Sequence, residues 1–301
     1  MPRLAVIDLG TNTFHLLIAD LNAERKTIKE VYRERIFVKL ASEGIETIGP
    51  APFQRGLEAL KHYRQVLDEH NIDGLHAFGT AALRTASNGE VFVRTAELEA
   101  GIPINLISGD EEARLITQGV LLALPPLTER ILIMDIGGGS TEFIIADAEG
   151  VYWRQSFPIG VAVLFKNFHH SDPISEAEIR QLKSFLNDQL RPLREKLTEY
   201  PTHHLVGAAG TFDVLAELLR DDSLPATATS HSLRLDDFPA LYYELLASTL
   251  AERLARPDIP EPRADMMVVA MVLLKHVVEL AGIERVTVSG YAMKEGILVE
   301  M

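Results

Sequence analysis

The sequence predicts an α/β protein assembled from a duplicated unit, and three observations lead there. The first is an internal repeat of strand, glycine turn and strand: LAVIDLGTNTFHLLIAD at 4–20 and LIMDIGGGSTEFIIAD within 130–147. The two align without a gap at a constant offset, Asp8 on Asp135, Gly10 on Gly137, Thr13 on Ser140 and Asp20 on Asp147. The second is a set of glycine-bearing loops that each open a helix: GTAALRTASN from Gly79, GAAGTFDVL from Gly207 and SGYAMKEGIL from Ser289. Gly79 and Gly207 stand at nearly the same offset as the two hairpins, a weaker echo of the same duplication. The third is that strand and helix signals alternate along the chain between these loops.

Taken in order, the elements follow from their residue patterns. Ile131 to Met134 is a continuous apolar run, as a strand buried on both faces requires. Gly137, Gly138 and Gly139 allow a sharp turn and a close backbone approach to a ligand, and Phe143 to Ala146 starts the return strand. Leu4 to Asp20 repeats this plan, and Asn22 to Leu40 is charged and strand-like. Phe53, Leu57, Leu60, Tyr63 and Leu67 recur at helical spacing, with a stop expected near Asn71 or Gly74. Leu75 to Phe78 is a short strand. It leads into a loop and a helix whose first turns carry Arg84. Glu90 to Ala100 is a helix ended by Gly101, and Ile104 to Ile107 is a strand. Ser108 or Asp110 caps the next helix, with Glu111 and Glu112 in its first turn. Pro125–Pro126 marks a hinge, and the expected domains are 1–124 and 125–301.

In the second half, Val151 to Phe157 continues the hairpin, and Ser175 with Glu178 forms a capping box. That box starts one long amphipathic helix, Ile179 to Leu197, kinked at Pro192. His204 to Val206 is a strand. Leu241, Leu245, Leu250 and Leu254 mark a further helix, and Asp265 to Leu280 is apolar on most faces, as a buried helix would be. Val286 to Val288 is the last strand, before a helix carrying Lys294.

Composition narrows the function. The chain has 301 residues, no cysteine and a formal net charge of −14. Disulfides, thiol catalysis and cysteine-ligated metals are excluded. Long-range attraction to nucleic acid or to an anionic membrane is disfavoured, so a polyanionic substrate needs local cations and a metal to hold it. Asp8 interrupts the first apolar run and Met266 to Leu274 is the longest, so neither a secretory signal nor a membrane span is expected. A cytoplasmic location is the expectation. The histidine pairs His169–His170 and His203–His204 are adjacent rather than at helical spacing and are read as non-ligands.

An acid, a run of bare backbone N–H groups and two hydroxyls suit a phosphate with a divalent cation. Two polar hairpins would be the bland explanation of one such turn, but two in register, each preceded by aspartate, argue against it. Glu111 and Glu112 would by themselves be read as acids complementing a helix dipole. Their helix leads straight into the second glycine loop, which weakens that reading. Neither GxxxxGK[ST] nor GxGxxG is present, so common nucleotide-binding folds are disfavoured.

Together, VIDLGTNTFHLLIAD, FGTAALRTASN, ISGDEEARLITQGV, MDIGGGSTEFIIAD, VGAAGTFDVL and VSGYAMKEGIL resemble the exopolyphosphatase/guanosine-pentaphosphate phosphohydrolase family, within the actin-like superfamily of sugar kinases and heat-shock ATPases. The resemblance spans Val6 to Glu300. It implies two ribonuclease-H-like α/β domains with the active site in a cleft between them, and removal of a terminal phosphate from polyphosphate or guanosine pentaphosphate. It implies Glu112 as the catalytic carboxylate that activates water. Phosphate contacts would come from Gly10, Thr11, Asn12 and Thr13, from Arg84, and from Gly137, Gly138, Gly139, Ser140 and Thr141. Mg²⁺ or Mn²⁺ would be held by Asp135 and Glu142, with Asp8 as a further ligand.

Three departures stand out. GTNTF replaces the usual GSNSF and keeps the hydroxyls. Lys294 stands where arginine is expected, keeping charge but losing the planar fork. The additional helical half of long members is not in this sequence. A homodimer is compatible with the resemblance. A kinase of the same superfamily, a non-catalytic nucleotide or alarmone sensor, and a glycosidase using Glu112 and Glu142 are the competing readings.

Overall fold

The computed structural model describes residues 1–22, 24, 27–219 and 229–301. The chain divides into two units: residues 1–119 with 292–301, and residues 120–291. Each is built on one sheet, and the two sheets share a topology.

In the first unit, β1 (Arg3–Leu9) and β2 (Thr13–Asn22) form the predicted hairpin, and the charged segment after it is β3 (Thr27–Phe37). The helix α1 (Pro50–His70) ends on Asn71, which takes the left-handed conformation (φ 51°) that terminates a helix. Next come β4 (Gly74–Gly79), the five-residue α2 (Ala81–Thr85), α3 (Gly89–Ala100) ended by Gly101 at φ 63°, β5 (Ile104–Leu106) and α4 (Gly109–Ala123). The sheet order is β3-β2-β1-β4-β5, with β1, β4 and β5 parallel and β2 and β3 antiparallel. Ala5, Ile7 and Leu9 of β1 meet Leu57, Leu60 and Tyr63 of α1 in a single apolar core. The Tyr63 hydroxyl donates to Phe14 O at 2.8 Å, so the core's largest polar group is satisfied.

The second unit repeats the order with β6 (Ile131–Ile136), β7 (Thr141–Asp147) and β8 (Gly150–Phe157). It continues with α5 (Val161–Phe168), α6 (Glu176–Gln189), α7 (Arg191–Glu199), β9 (His204–Ala208), α8 (Ala209–Leu219) and β10 (Ser230–Ser232). It closes with α9 (Phe238–Ala247), α10 (Leu250–Leu254), α11 (Met267–Ala281) and β11 (Arg285–Ser289). Its sheet order, β10-β11-β9-β6-β7-β8, read backwards from β8 is the order of the first sheet plus one edge strand. The duplication seen in the hairpins therefore extends to the whole sheet. The buried helix α11 and the α6–α7 pair pack into this unit's core.

The structure corrects three expectations. The single long helix at Ile179 to Leu197 is two helices, broken at Leu190 because Pro192 supplies no N–H and starts a new turn. The helix expected through Leu241 and Leu254 is also two. Thr249 and Glu252 form a capping box that begins α10 afresh, and the buried Arg253 pins the break by donating to Ser248 O at 2.5 Å and Ala264 O at 2.7 Å. The expected division into 1–124 and 125–301 differs at both ends. The chain crosses to the second unit after Gly119, and α12 (Met293–Leu298) belongs to the first. The reason is a glycine crossing. A Cβ on Gly296 would stand 2.0 Å from Leu115 O, and one on Gly119 would stand 1.8 Å from Ala292 O, so α4 and α12 touch backbone to backbone. α5 and β10 had no sequence expectation. Among the described residues no helix is long and apolar enough to cross a membrane.

Candidate active site

The first group of site residues gathers at the carboxyl ends of β1, β4 and β5, where parallel strands of an open α/β sheet present their ligands. After β1, the Gly10 N–H donates to Thr13 O at 3.1 Å and closes the turn. The loop is strapped from behind by the segment after β3. Asn12 O accepts from Val38 N and Lys39 N at 3.0 and 2.9 Å, and Thr11 O accepts from Leu40 N at 2.8 Å. Arg55 of α1 in turn donates to Val38 O at 3.0 Å. Its carbonyls are committed to the strap, and the Thr11 hydroxyl is buried with no hydrogen-bond partner among the described residues. A buried unpartnered hydroxyl is costly unless something fills its place, which is what an anion-binding loop provides.

Asp8, one residue before the end of β1, is partly buried. Burial pushes its carboxyl up to about 6; Lys294 of α12 pulls it down and Glu295 pushes it up further. Lys294 is itself buried, and Glu295 is fully buried against Arg33 at 2.8 Å. The departure at Lys294 therefore faces Asp8 within one unit.

Arg84 and Glu112 come together. Thr80 N donates to Leu9 O at 3.3 Å, which fastens the start of α2 to the end of β1. The Arg84 guanidinium donates from Nη1 to Ile107 O at 2.7 Å and to Glu112 Oε2 at 3.2 Å. Ser108 caps α4 by accepting from Glu111 N at 3.1 Å, and the buried Glu112 follows in that first turn. Glu111 turns elsewhere, to Arg114 at 2.8 Å, and Arg114 also holds Glu300. The two adjacent glutamates thus have different surroundings: Glu112 buried beside an arginine at the strand ends, Glu111 part of a surface network.

The second group lies in the second unit and copies the first turn. Gly137 N donates to Ser140 O at 3.0 Å, the counterpart of Gly10 and Thr13. Here the backing element is α5. Val161 N and Ala162 N donate to Gly137 O and Gly138 O, both at 2.9 Å. A Cβ at Gly160 would stand 2.4 Å from Gly138 O, so Gly160 is a close-packing residue that the sequence did not single out. Ser140 is buried in the turn. Thr141 is fully buried and gives its hydroxyl proton to Ile159 O at 3.2 Å.

Asp135 and Glu142 are direct partners across β6 and β7, both buried, and Glu142 accepts from Ser156 at 2.6 Å. Two acids at paired positions of adjacent strands repel each other. Among the described residues no group of three or more histidine, cysteine or acidic side chains is assembled for a metal. The pair nevertheless suits Mg²⁺ or Mn²⁺, because Mg²⁺ is commonly held by one or two carboxylates together with water and substrate phosphates. Asp8 belongs to the first group. Further on, Ala209 takes φ 64° at the start of α8, and the Arg263 guanidinium lies over Gly210, where a Cβ would meet Nη2 at 1.6 Å.

The fold is that of solved Ppx/GppA proteins. An exopolyphosphatase from Cytophaga hutchinsonii superposes with TM-score 0.92 at 40% identity, covering 98% of this chain and 96% of that one. The Aquifex aeolicus family member superposes with TM-score 0.80 at 24% identity over 99% and 97% of the two chains. Exopolyphosphatase 2 of Mycobacterium tuberculosis is 30% identical over 317 residues, 100% of this chain and 99% of that one. Guanosine-5'-triphosphate,3'-diphosphate pyrophosphatase of Aliivibrio fischeri is 29% identical over 303 residues, and this chain spans 59% of its length. The family pattern of the Ppx/GppA phosphatases matches residues 17–301, and the chain belongs to the Ppx/GppA phosphatase family.

Proposed function

We propose that this chain is a phosphoanhydride hydrolase that removes the terminal phosphate of inorganic polyphosphate. The observation that carries the reading is Glu112: a buried carboxylate held by Arg84 at the carboxyl ends of the strands, in the same unit as a phosphate-type loop with an unfilled buried hydroxyl. In this reading Glu112 orients a water molecule and takes its proton, as a general base worth about 10²–10⁴ in rate. Arg84 and the N–H groups of the first loop, with the hydroxyls of Thr11 and Thr13, take phosphate oxygens, and the second loop with Ser140 offers the same kind of groups in its own unit. Arg84 also keeps the Glu112 carboxylate in one orientation, so binding and base are coupled through one guanidinium. Asp135 and Glu142 are the residues of the second unit that would hold Mg²⁺ or Mn²⁺, and the cation when bound would neutralise phosphate charge.

Guanosine pentaphosphate is the second candidate substrate, favoured by the Aliivibrio relative. Polyphosphate is preferred because the Mycobacterium tuberculosis and Cytophaga hutchinsonii relatives, each matched over nearly its full length, are named exopolyphosphatases. The deciding experiment measures orthophosphate release with Mg²⁺ or Mn²⁺ from polyphosphates of several lengths, guanosine pentaphosphate and ATP. Release from polyphosphate that falls by about 10²–10⁴ in Glu112→Gln, with binding retained, is the expected result. Wild-type rates in that variant remove Glu112 from its role. Release from guanosine pentaphosphate alone selects the second substrate. Ligand-induced stabilisation without release from any of them selects a sensor.

A further inference from the structure

The second unit contains a pocket at the opposite end of its sheet from the glycine loop. Ile131 opens β6, His204 opens β9 and Arg285 opens β11, and all three line a cavity of about 300 Å³. The glycine loop leaves β6 at its other end, and six residues at ~3.3 Å each put the two about 20 Å apart. That volume is at the lower end of small-molecule sites.

The walls have two characters. Leu124, Pro125 and Pro126 give an apolar side. Facing the same space, Arg285 donates from Nη2 to His204 Nδ1 at 3.1 Å, and His204 Nε2 reaches Thr287 Oγ1 at 2.8 Å. Burial holds the His204 pKa below the ordinary histidine value. Glu129 pairs with Arg285 and lies 3.2 Å from His204 Nδ1. His231 also lines the pocket, and its Nδ1 is buried without a hydrogen-bond partner among the described residues.

We propose that this pocket binds a small molecule carrying one oxyanion on an apolar, ring-sized body. The Glu129 carboxylate marks the oxyanion position. The side chains of Arg285 and Glu129 are 54% and 46% exposed, and so open a pair contributes little, so a ligand oxyanion replaces Glu129 on Arg285 at small cost. The ligand's apolar body covers Leu124, Pro125 and Pro126, and its polar edge supplies the partner that His231 Nδ1 lacks. The inference stands on this pocket alone and is independent of the phosphatase reading.

The test uses the full chain and two probes, benzoate and phenylphosphonate, which carry the same ring on a carboxylate and on a phosphate-like group. The readout is the NMR signals of the His204 and His231 Cε1 protons, assigned with His204→Gln and His231→Gln. Phenylphosphonate held at the glycine loops leaves those two signals unmoved. The expected result is a saturable shift of both, with Kd near ~1 mM for so small a ligand. Arg285→Met is expected to weaken binding roughly tenfold or more, because a charge-assisted hydrogen bond is lost. Glu129→Gln is expected to tighten it, because the competing carboxylate is gone. The better-binding probe identifies the ligand class as carboxylate or phosphate ester. No saturable shift with either probe by about 10 mM, an unchanged affinity in Arg285→Met, or weaker binding in Glu129→Gln would each overturn the proposal.

Discussion

Thr11 separates stability from function at a single atom. Its hydroxyl is buried and has no partner among the described residues, and a valine has nearly the same shape without the polar group. Thr11→Val is therefore expected to raise stability by about 1 kcal/mol while raising the KM of a phosphate substrate. A lower Tm in the variant would show that the hydroxyl has an internal partner after all. Glu178 makes the opposite kind of contribution. Burial alone would push its carboxyl up, but hydrogen bonds from the Ser171 and Ser175 hydroxyls and from the Ser175 and His170 N–H groups outweigh it and hold the pKa well below the carboxylate range. A depressed carboxylate stabilises the fold above its unfolded pKa and loses that contribution as pH falls through the folded one. Glu178→Gln is expected to be less stable than wild type by about 1–2 kcal/mol near neutral pH, with the gap closing below about pH 4. Denaturant unfolding at several pH values checks this, and a gap that widens in acid contradicts it. The capping box itself was legible, because Ser175 and Glu178 are three apart. The added bonds from His170 and Ser171 were not, because a loop's return path is not written in local spacing.

At the scale of elements, the contact between α4 and α12 carries a sharp expectation. The groups that a methyl on Gly296 or Gly119 would strike are backbone carbonyls, which cannot rotate away. Gly296→Ala is expected to cost about 1–3 kcal/mol or more through overpacking, read as a fall in Tm. An unchanged Tm would mean that the two helices are not in backbone contact. The paired strands β6 and β7 carry another expectation. Asp135 and Glu142 are buried opposite each other, and in the proposed reading a divalent cation would relieve their repulsion. Adding Mg²⁺ or Mn²⁺ to metal-free protein should raise Tm with the logarithmic dependence of a linked ligand, and the increment should shrink in Glu142→Gln. A full increment in that variant would move the metal elsewhere. The hairpins could be read from sequence because a buried strand, an aspartate and a glycine turn are local signals. The breaks at Leu190 and Ser248 were harder, because leucines at helical spacing continue across both and only a proline or a new cap restarts the helix.

At the scale of the whole molecule, a net charge of −14 would oppose the proposed polyanionic substrate from a distance, while Arg84 and the loops would attract it only nearby. Raising ionic strength from about 0.01 M to about 0.15 M shortens the screening length from about 30 to about 8 Å, below the size of the protein. kcat/KM for polyphosphate is therefore expected to rise over that range, and a steep fall would show that local cations dominate the encounter. The duplication was legible at this scale too: two aligned hairpins announced two units, and the repeated sheet order bears them out. The sequence by itself determined the α/β class, the two glycine turns with their aspartates, the strand and helix alternation, and the family to which the chain belongs, because each is carried by residues close together in the chain. Only the tertiary structure decided that α12 returns to the first unit, that Arg84 holds Glu112 and not Glu111, that Thr141 donates to Ile159 O, and that His204, Arg285 and Glu129 line one pocket. Those facts depend on residues tens to hundreds of positions apart, and nothing but the packing of strands and helices brings such residues together.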